Sequence, residues 1–137
     1  MQEELMEMPT IQELIEESVV LVRKVVHVLY RDIASHAGVA NLPKIHISTD
    51  MGMRATATYR AGQGLIILSA IHLQNKDVEH IAYVLAHELW HHKQYEDGER
   101  FDGYIDPSID GGAYKAQRIE EEADAFALSL FPSGQKG

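Results

Sequence analysis

Within the hexapeptide HELWHH, residues 87–92, the types and spacing of three side chains suit hydrolytic chemistry. Residues four apart lie on the same face of a helix, so His87 and His91 can offer two imidazoles to one ion. Glu88 is rotated about 100° from His87 along that helix. It is placed to meet a water held by the ion rather than the ion itself. Zinc lowers the pKa of such a water, and a carboxylate can take its proton as it attacks a carbonyl. This is the chemistry of the HExxH spacing. A pattern with three fixed positions also arises by chance in a chain holding eight histidines. Two features argue against chance. Leu85 and Leu89 put the apolar stripe on another face, leaving His87 and His91 free to point into a cleft, and the preceding IAYVLA is apolar enough to pack beneath a site. His92 is out of register for the same ion and reads as a surface residue or a neighbour of the ligands. His80, a helical heptad before His87, reads as a surface or helix-start histidine.

Catalytic zinc takes three protein ligands and keeps one position for water, so a third ligand must come from elsewhere. Two stretches compete. Asp97 follows His91 by six residues, the separation that metzincins use, but Gln94 stands where that pattern has Gly. The stretch RIEEEADAFALSLFP (118–132) puts Glu120 and Asp124 four apart, on one face of a helix. Glu120 can bind the metal while Asp124 hydrogen-bonds a ligand histidine, the usual support for a metal-binding imidazole. Glu121 and Glu122 fit a solvated acidic face. That reading alone does not account for Ala123 and Ala127, which are small enough to let another helix come close.

The elements that must position these residues are legible along the chain. Thr10 and Glu13 form a capping-box pattern, and Ile11, Leu14, Ile15, Val22, Val26, Leu29 and Ile33 recur at helical steps. A long helix is expected over about 10–37, closed by Gly38. Asn41–Pro43 is a turn and 44–48 a short strand. Alternation over 53–59 and the apolar LIILS (65–69), joined by AGQG, predict a hairpin. Asn75 or Asp77 can cap a second helix to about Tyr95, with Val78, Ile81, Leu85 and Leu89 as its core stripe. A Gly-rich loop (97–112) leads to a third helix over about 113–130, stopped before Pro132. The expected class is α+β: a long N-terminal helix, a small, mostly antiparallel sheet, the HExxH helix and a C-terminal glutamate helix.

A chain of 137 residues with 45% hydrophobic and 24% charged residues suits one globular domain, residues 1–137, with 1–9 and 133–137 expected to be flexible. The formal charge of 12 − 21 = −9 argues against a nucleic-acid partner. The absence of cysteine excludes disulfides, zinc ribbons and thiol catalysis, and fits a reducing compartment. MQEELMEMPT lacks the apolar core of a secretory signal, and no apolar run approaches the roughly 20 residues of a membrane span. A cytoplasmic location is the expectation.

HELWH followed by EEEADAFA resembles the gluzincins, metallopeptidases with HExxH and a downstream glutamate helix. Over residues 53–132, the order of hairpin, HExxH, loop and ExxAD-x-FA-x-x-L-x-x-P is similar to the minigluzincins and the ImmA/IrrE-type proteins. The resemblance implies a zincin-like fold and a small zinc-dependent metallopeptidase acting on a peptide or protein substrate. It implies His87, His91 and Glu120 as Zn2+ ligands, Glu88 as general base, and Asp124 as the carboxylate orienting His87. It also implies a sheet-edge strand within 53–60 that pairs with an extended peptide. An oxyanion-stabilising tyrosine or histidine is expected too, with Tyr95, Tyr104 and Tyr114 all open. SprT-type proteases often add a cysteine zinc ribbon, which this chain cannot form. The alternative is a zinc-bearing regulatory or binding module with a latent or idle peptidase site, whose cleft MQEELMEM or SGQKG could reach.

Overall fold

The long N-terminal helix begins and ends where its sequence signals stand. In α1 (Ile11–Ala37) the Thr10 hydroxyl accepts from the Glu13 N–H at 3.0 Å, and the Glu13 carboxylate accepts from the Thr10 N–H at 3.0 Å. Each side chain thus satisfies a backbone donor that the first turn would leave free. Gly38 closes the helix at φ 79°, a left-handed conformation that costs glycine little. The computed structural model describes residues 8–101 and 112–136, with side chains described for 8–101 and 116–135. The buried face of α1 runs through Ile15, Ser18, Val22, Val25 and Ile33, whereas Ile11 and Leu14, expected in the stripe, are 67% and 39% exposed. Ser18 is buried because its hydroxyl donates to the Ala70 carbonyl at 2.6 Å, tying α1 to the chain beyond the sheet.

The sheet holds β1 (Lys44–Ser48), β2 (Ala57–Arg60) and β3 (Leu65–Ser69) in the order β1-β3-β2. The hairpin forms as expected: β2 and β3 pair antiparallel across a 3-10 turn at Ala61–Gln63 and a left-handed Gly64. β1, however, pairs parallel with β3, so the sheet is mixed rather than mostly antiparallel. The reason is the path of the chain. From β1 it crosses to the far edge before turning back, so the central strand runs the same way as β1. β2 is also shorter than the alternation over 53–59 suggests. A turn precedes the stretch, in which the Gly52 N–H donates to Asp50 Oδ1 at 2.8 Å and the Met53 N–H to the Asp50 carbonyl, and residues 53–56 stay irregular before β2 begins.

Asp77, not Asn75, caps α2 (Val78–Glu96): its carboxylate accepts from the His80 N–H at 2.8 Å. α2 packs against α1, α3 and the sheet and is buried around most of its circumference, so that polar side chains, Glu88, His91, His92 and Gln94, are buried along with the apolar ones. Ile81, Leu85 and Leu89 are fully buried, while Val78, expected with them, is 51% exposed. The third helix, α3 (Gly112–Leu130), lays the fully buried Ile119, Ala123 and Ala127 against α2. The alanines permit that close approach, and Phe126 stacks on Trp90 at 4.7 Å. Where flexibility is expected at 133–137, Gly134–Lys136 form a 3-10 turn docked on α2. The Ser133 N–H donates to Glu79 at 2.6 Å, and a Cβ at Gly134 would stand 2.5 Å from that of Tyr83. No helix among the described residues is long and apolar enough to cross a membrane.

Candidate metal centre

α2 and α3 bring together residues that are distant in sequence. His87 Nε2 lies 2.9 Å from Glu120 Oε1, His91 Nε2 lies 3.1 Å from Glu120 Oε2, and the two Nε2 atoms are 3.1 Å apart. The outer nitrogens are also engaged. His87 Nδ1 is 2.9 Å from Asp124 Oδ1, and His91 Nδ1 is 2.8 Å from Gln94 Oε1. A carboxylate and an amide oxygen only accept, so each Nδ1 carries a hydrogen and each Nε2 is turned toward Glu120 and the other ring. Two ring nitrogens and a carboxylate thus converge between α2 and α3.

Glu88 is buried at 7% exposure, and its Oε2 stays 4.0 Å from His87 Nε2. His87, Glu88 and His91 form a group that can hold a metal ion, with donor atoms within 4.8 Å of one another. Of the two acids, Glu120 makes the close contacts to both imidazoles.

The charges shape one another. Burial pushes the Glu88 carboxyl above its usual range, against the pull of His91 and His87. Burial would raise Glu120 as well, but the hydrogen bonds and charges of both histidines outweigh it and bring it down to about 2. Burial lowers His87, yet its bond to Glu120 and the charges of Glu88, Glu120 and Asp124 leave it above 6.5. The depressed Glu120 stabilises the metal-free fold above pH 4.5, and that contribution is lost as pH falls toward about 2. The raised His87 stabilises below pH 6.5, and its contribution is lost as pH rises through the folded value. In chelator, the thermal midpoint should therefore fall as pH is raised from about 6 to about 8, and zinc should reverse that fall. A flat midpoint over this range would show that the cluster does not hold a proton on His87.

The centre opens into a cleft of about 650 Å³. Thr56 and Ala57–Tyr59 of the edge strand β2 line it together with His87, Glu88 and His91 of α2 and Glu120 and Asp124 of α3, and Gln135 of the C-terminal turn also lines it. Tyr83, four residues before His87, lines it too and donates its hydroxyl to Asp124 Oδ1 at 2.9 Å. Burial, and then the bond to Asp124, push the Tyr83 phenol up to about 12, so it stays a donor at neutral pH.

Other histidines and tyrosines fall elsewhere. His80 is a helix-start residue whose Nδ1–H donates to the Gly134 carbonyl at 2.6 Å. His92 is buried rather than on the surface. Its Nε2–H donates to the Asn41 carbonyl at 2.7 Å, and its Nδ1 accepts from Tyr59 at 2.8 Å. Asp97 caps α2 and pairs with Lys93 at 3.1 Å. Tyr95 packs with Tyr59 and Phe101 and does not line the cleft. Tyr104 and the Tyr114 side chain lie outside the described residues.

No family model, curated protein or solved structure matches the chain. The site therefore rests on its own geometry. That geometry includes two residues that no local pattern singles out: Tyr83, at helical spacing before His87, and Gln94, three residues after His91.

Proposed function

We propose that the chain is a small zinc-dependent peptidase of zincin-like fold, with His87, His91 and Glu120 as the metal ligands and Glu88 as general base. The observation that carries this reading is the convergence of two Nε2 atoms and one carboxylate at 2.9–3.1 Å. Donor atoms about 2.0–2.1 Å from a tetrahedral zinc stand about 3.3 Å from one another, so the donors need open only slightly to admit one. Bound zinc would supply Lewis acidity and lower the pKa of water.

The protein's own groups supply the rest. Glu88 takes a proton from water as it attacks a peptide carbonyl and passes it to the leaving amine. A carboxyl raised by burial is suited to holding that proton between the two transfers. Asp124 holds the His87 ring, and Tyr83 holds Asp124. The edge strand β2 offers its backbone to an extended peptide along the cleft.

A second reading, a zinc-bearing module with a latent site, draws on Gln135 lining the cleft. One experiment addresses both. Purified protein should contain about one zinc per chain and cleave an unfolded protein substrate, with cleavage lost in chelator and restored by zinc. A zinc-loaded chain that is inert until shortened to Pro132 would favour the latent site. Finding no transition metal, and no thermal stabilisation on adding zinc, would sink both readings.

A further inference from the structure

Gln94 is a buried polar side chain, at 6% exposure, and every polar atom of its amide is engaged. Its Oε1 faces His91 Nδ1 at 2.8 Å, and its Nε2 donates to the Ile119 carbonyl at 3.1 Å and to Glu122 Oε1 at 3.0 Å. These partners fix which way the amide points. Reversed, its NH2 would meet the His91 N–H, and its oxygen would meet a carbonyl and a carboxylate. Only one orientation pairs all of them.

We infer that Gln94 is a positioning residue for the metal centre, setting the ring of His91 and tying it to the backbone that carries Glu120. Ile119 immediately precedes Glu120, so one amide spans two residues that meet at the centre from different helices. Asp124 does the corresponding work for His87 with a carboxylate, which holds the ring but adds negative charge. Gln94 holds its ring without charge, and its donor side reaches α3, which a carboxylate could not do. The packing of α2 on α3 thereby becomes part of the ligand geometry. A ring freed from Gln94 could turn its Nε2 away or adopt the other tautomer, and either would cost metal affinity.

This inference rests on the zinc centre proposed above, and the test keeps the two apart. Zinc affinity is measured by chelator competition for the wild-type chain, Gln94→Leu and Gln94→Glu, alongside the thermal midpoint of each protein without metal. Gln94→Leu removes both the acceptor for His91 and the donor to Ile119. It should weaken zinc binding by about 10- to 100-fold. Gln94→Glu restores the acceptor alone and should bind more tightly than Gln94→Leu, even though its charge lies against Glu122. Wild-type affinity in Gln94→Leu would overturn the proposal. So would equal weakening in both variants that tracks equal losses in metal-free midpoint, since Gln94 would then only be packing. A wild-type chain that binds no zinc overturns the metal centre itself, and this inference with it.

Discussion

Glu88→Gln should leave zinc bound at wild-type stoichiometry and lower peptide hydrolysis by about 10²- to 10⁴-fold. The expectation follows from where the carboxylate sits. Its Oε2 is 4.0 Å from His87 Nε2, while Glu120 reaches the two Nε2 atoms at 2.9 and 3.1 Å. The longer distance leaves Glu88 beside the centre without being drawn into it. Glutamine keeps the shape of the side chain and its hydrogen-bonding reach but cannot take a proton. The substitution also removes a carboxyl that burial holds above its ordinary range, so the burial cost it relieves outweighs the attraction to His87 and His91 that it gives up. The metal-free protein should accordingly melt no lower than wild type. Metal content by elemental analysis, cleavage rate and thermal midpoint together check the assignment. A Glu88→Gln protein that loses its zinc would make Glu88 a ligand, and one that cleaves at the wild-type rate would remove it from the chemistry.

What could be seen in advance divides by how local its cause is. Thr10, Glu13 and Gly38 bound α1 because capping is decided by the backbone within a few residues, and that information sits in the same few residues. Spacing puts His87 with His91 and Glu120 with Asp124 on single helix faces, but Asp97 stands as a rival third ligand, and the four are joined as a set only through the resemblance to the gluzincins. The parallel pairing of β1 with β3 cannot be read from spacing, since which strand lies beside which depends on the crossing at 49–56 rather than on alternation. Val78 has the right period for the core and is exposed all the same, because it opens the helix. His92 reads from spacing as a surface residue or a neighbour of the ligands, whereas its partner Tyr59, 33 residues away, comes with the sheet. Gln94 and Tyr83 are of the same kind. Their partners on α3, Ile119 and Asp124, stand 25 and 41 residues from them, and no local pattern announces either bond.

Glu120→Ala should abolish stoichiometric zinc binding, with a loss larger than the roughly 10- to 100-fold expected for an outer partner such as Gln94 or Asp124. Two imidazoles four apart on one helix turn make a weak site, and a third protein donor is what a catalytic zinc needs to stay bound. Glu120 is also the group that neutralises the pair. Its carboxylate, drawn down to about 2, is the nearest charge to both Nε2 atoms. Removing it should let His87 fall from its raised value, so metal-free Glu120→Ala should show a weaker pH dependence of stability than wild type, with Glu88 and Asp124 still in place. Zinc added to the variant should no longer raise its thermal midpoint, since only a ligand bound to the folded state stabilises it. The rival arrangement is the compact group of His87, Glu88 and His91 within α2 alone. It predicts the reverse pair of outcomes: zinc retained in Glu120→Ala and lost in Glu88→Gln. The two substitutions thus decide between a centre built within one helix and one built between two. Only the second gives α3 a part in holding the metal, and only the second leaves Glu88 free to move a proton.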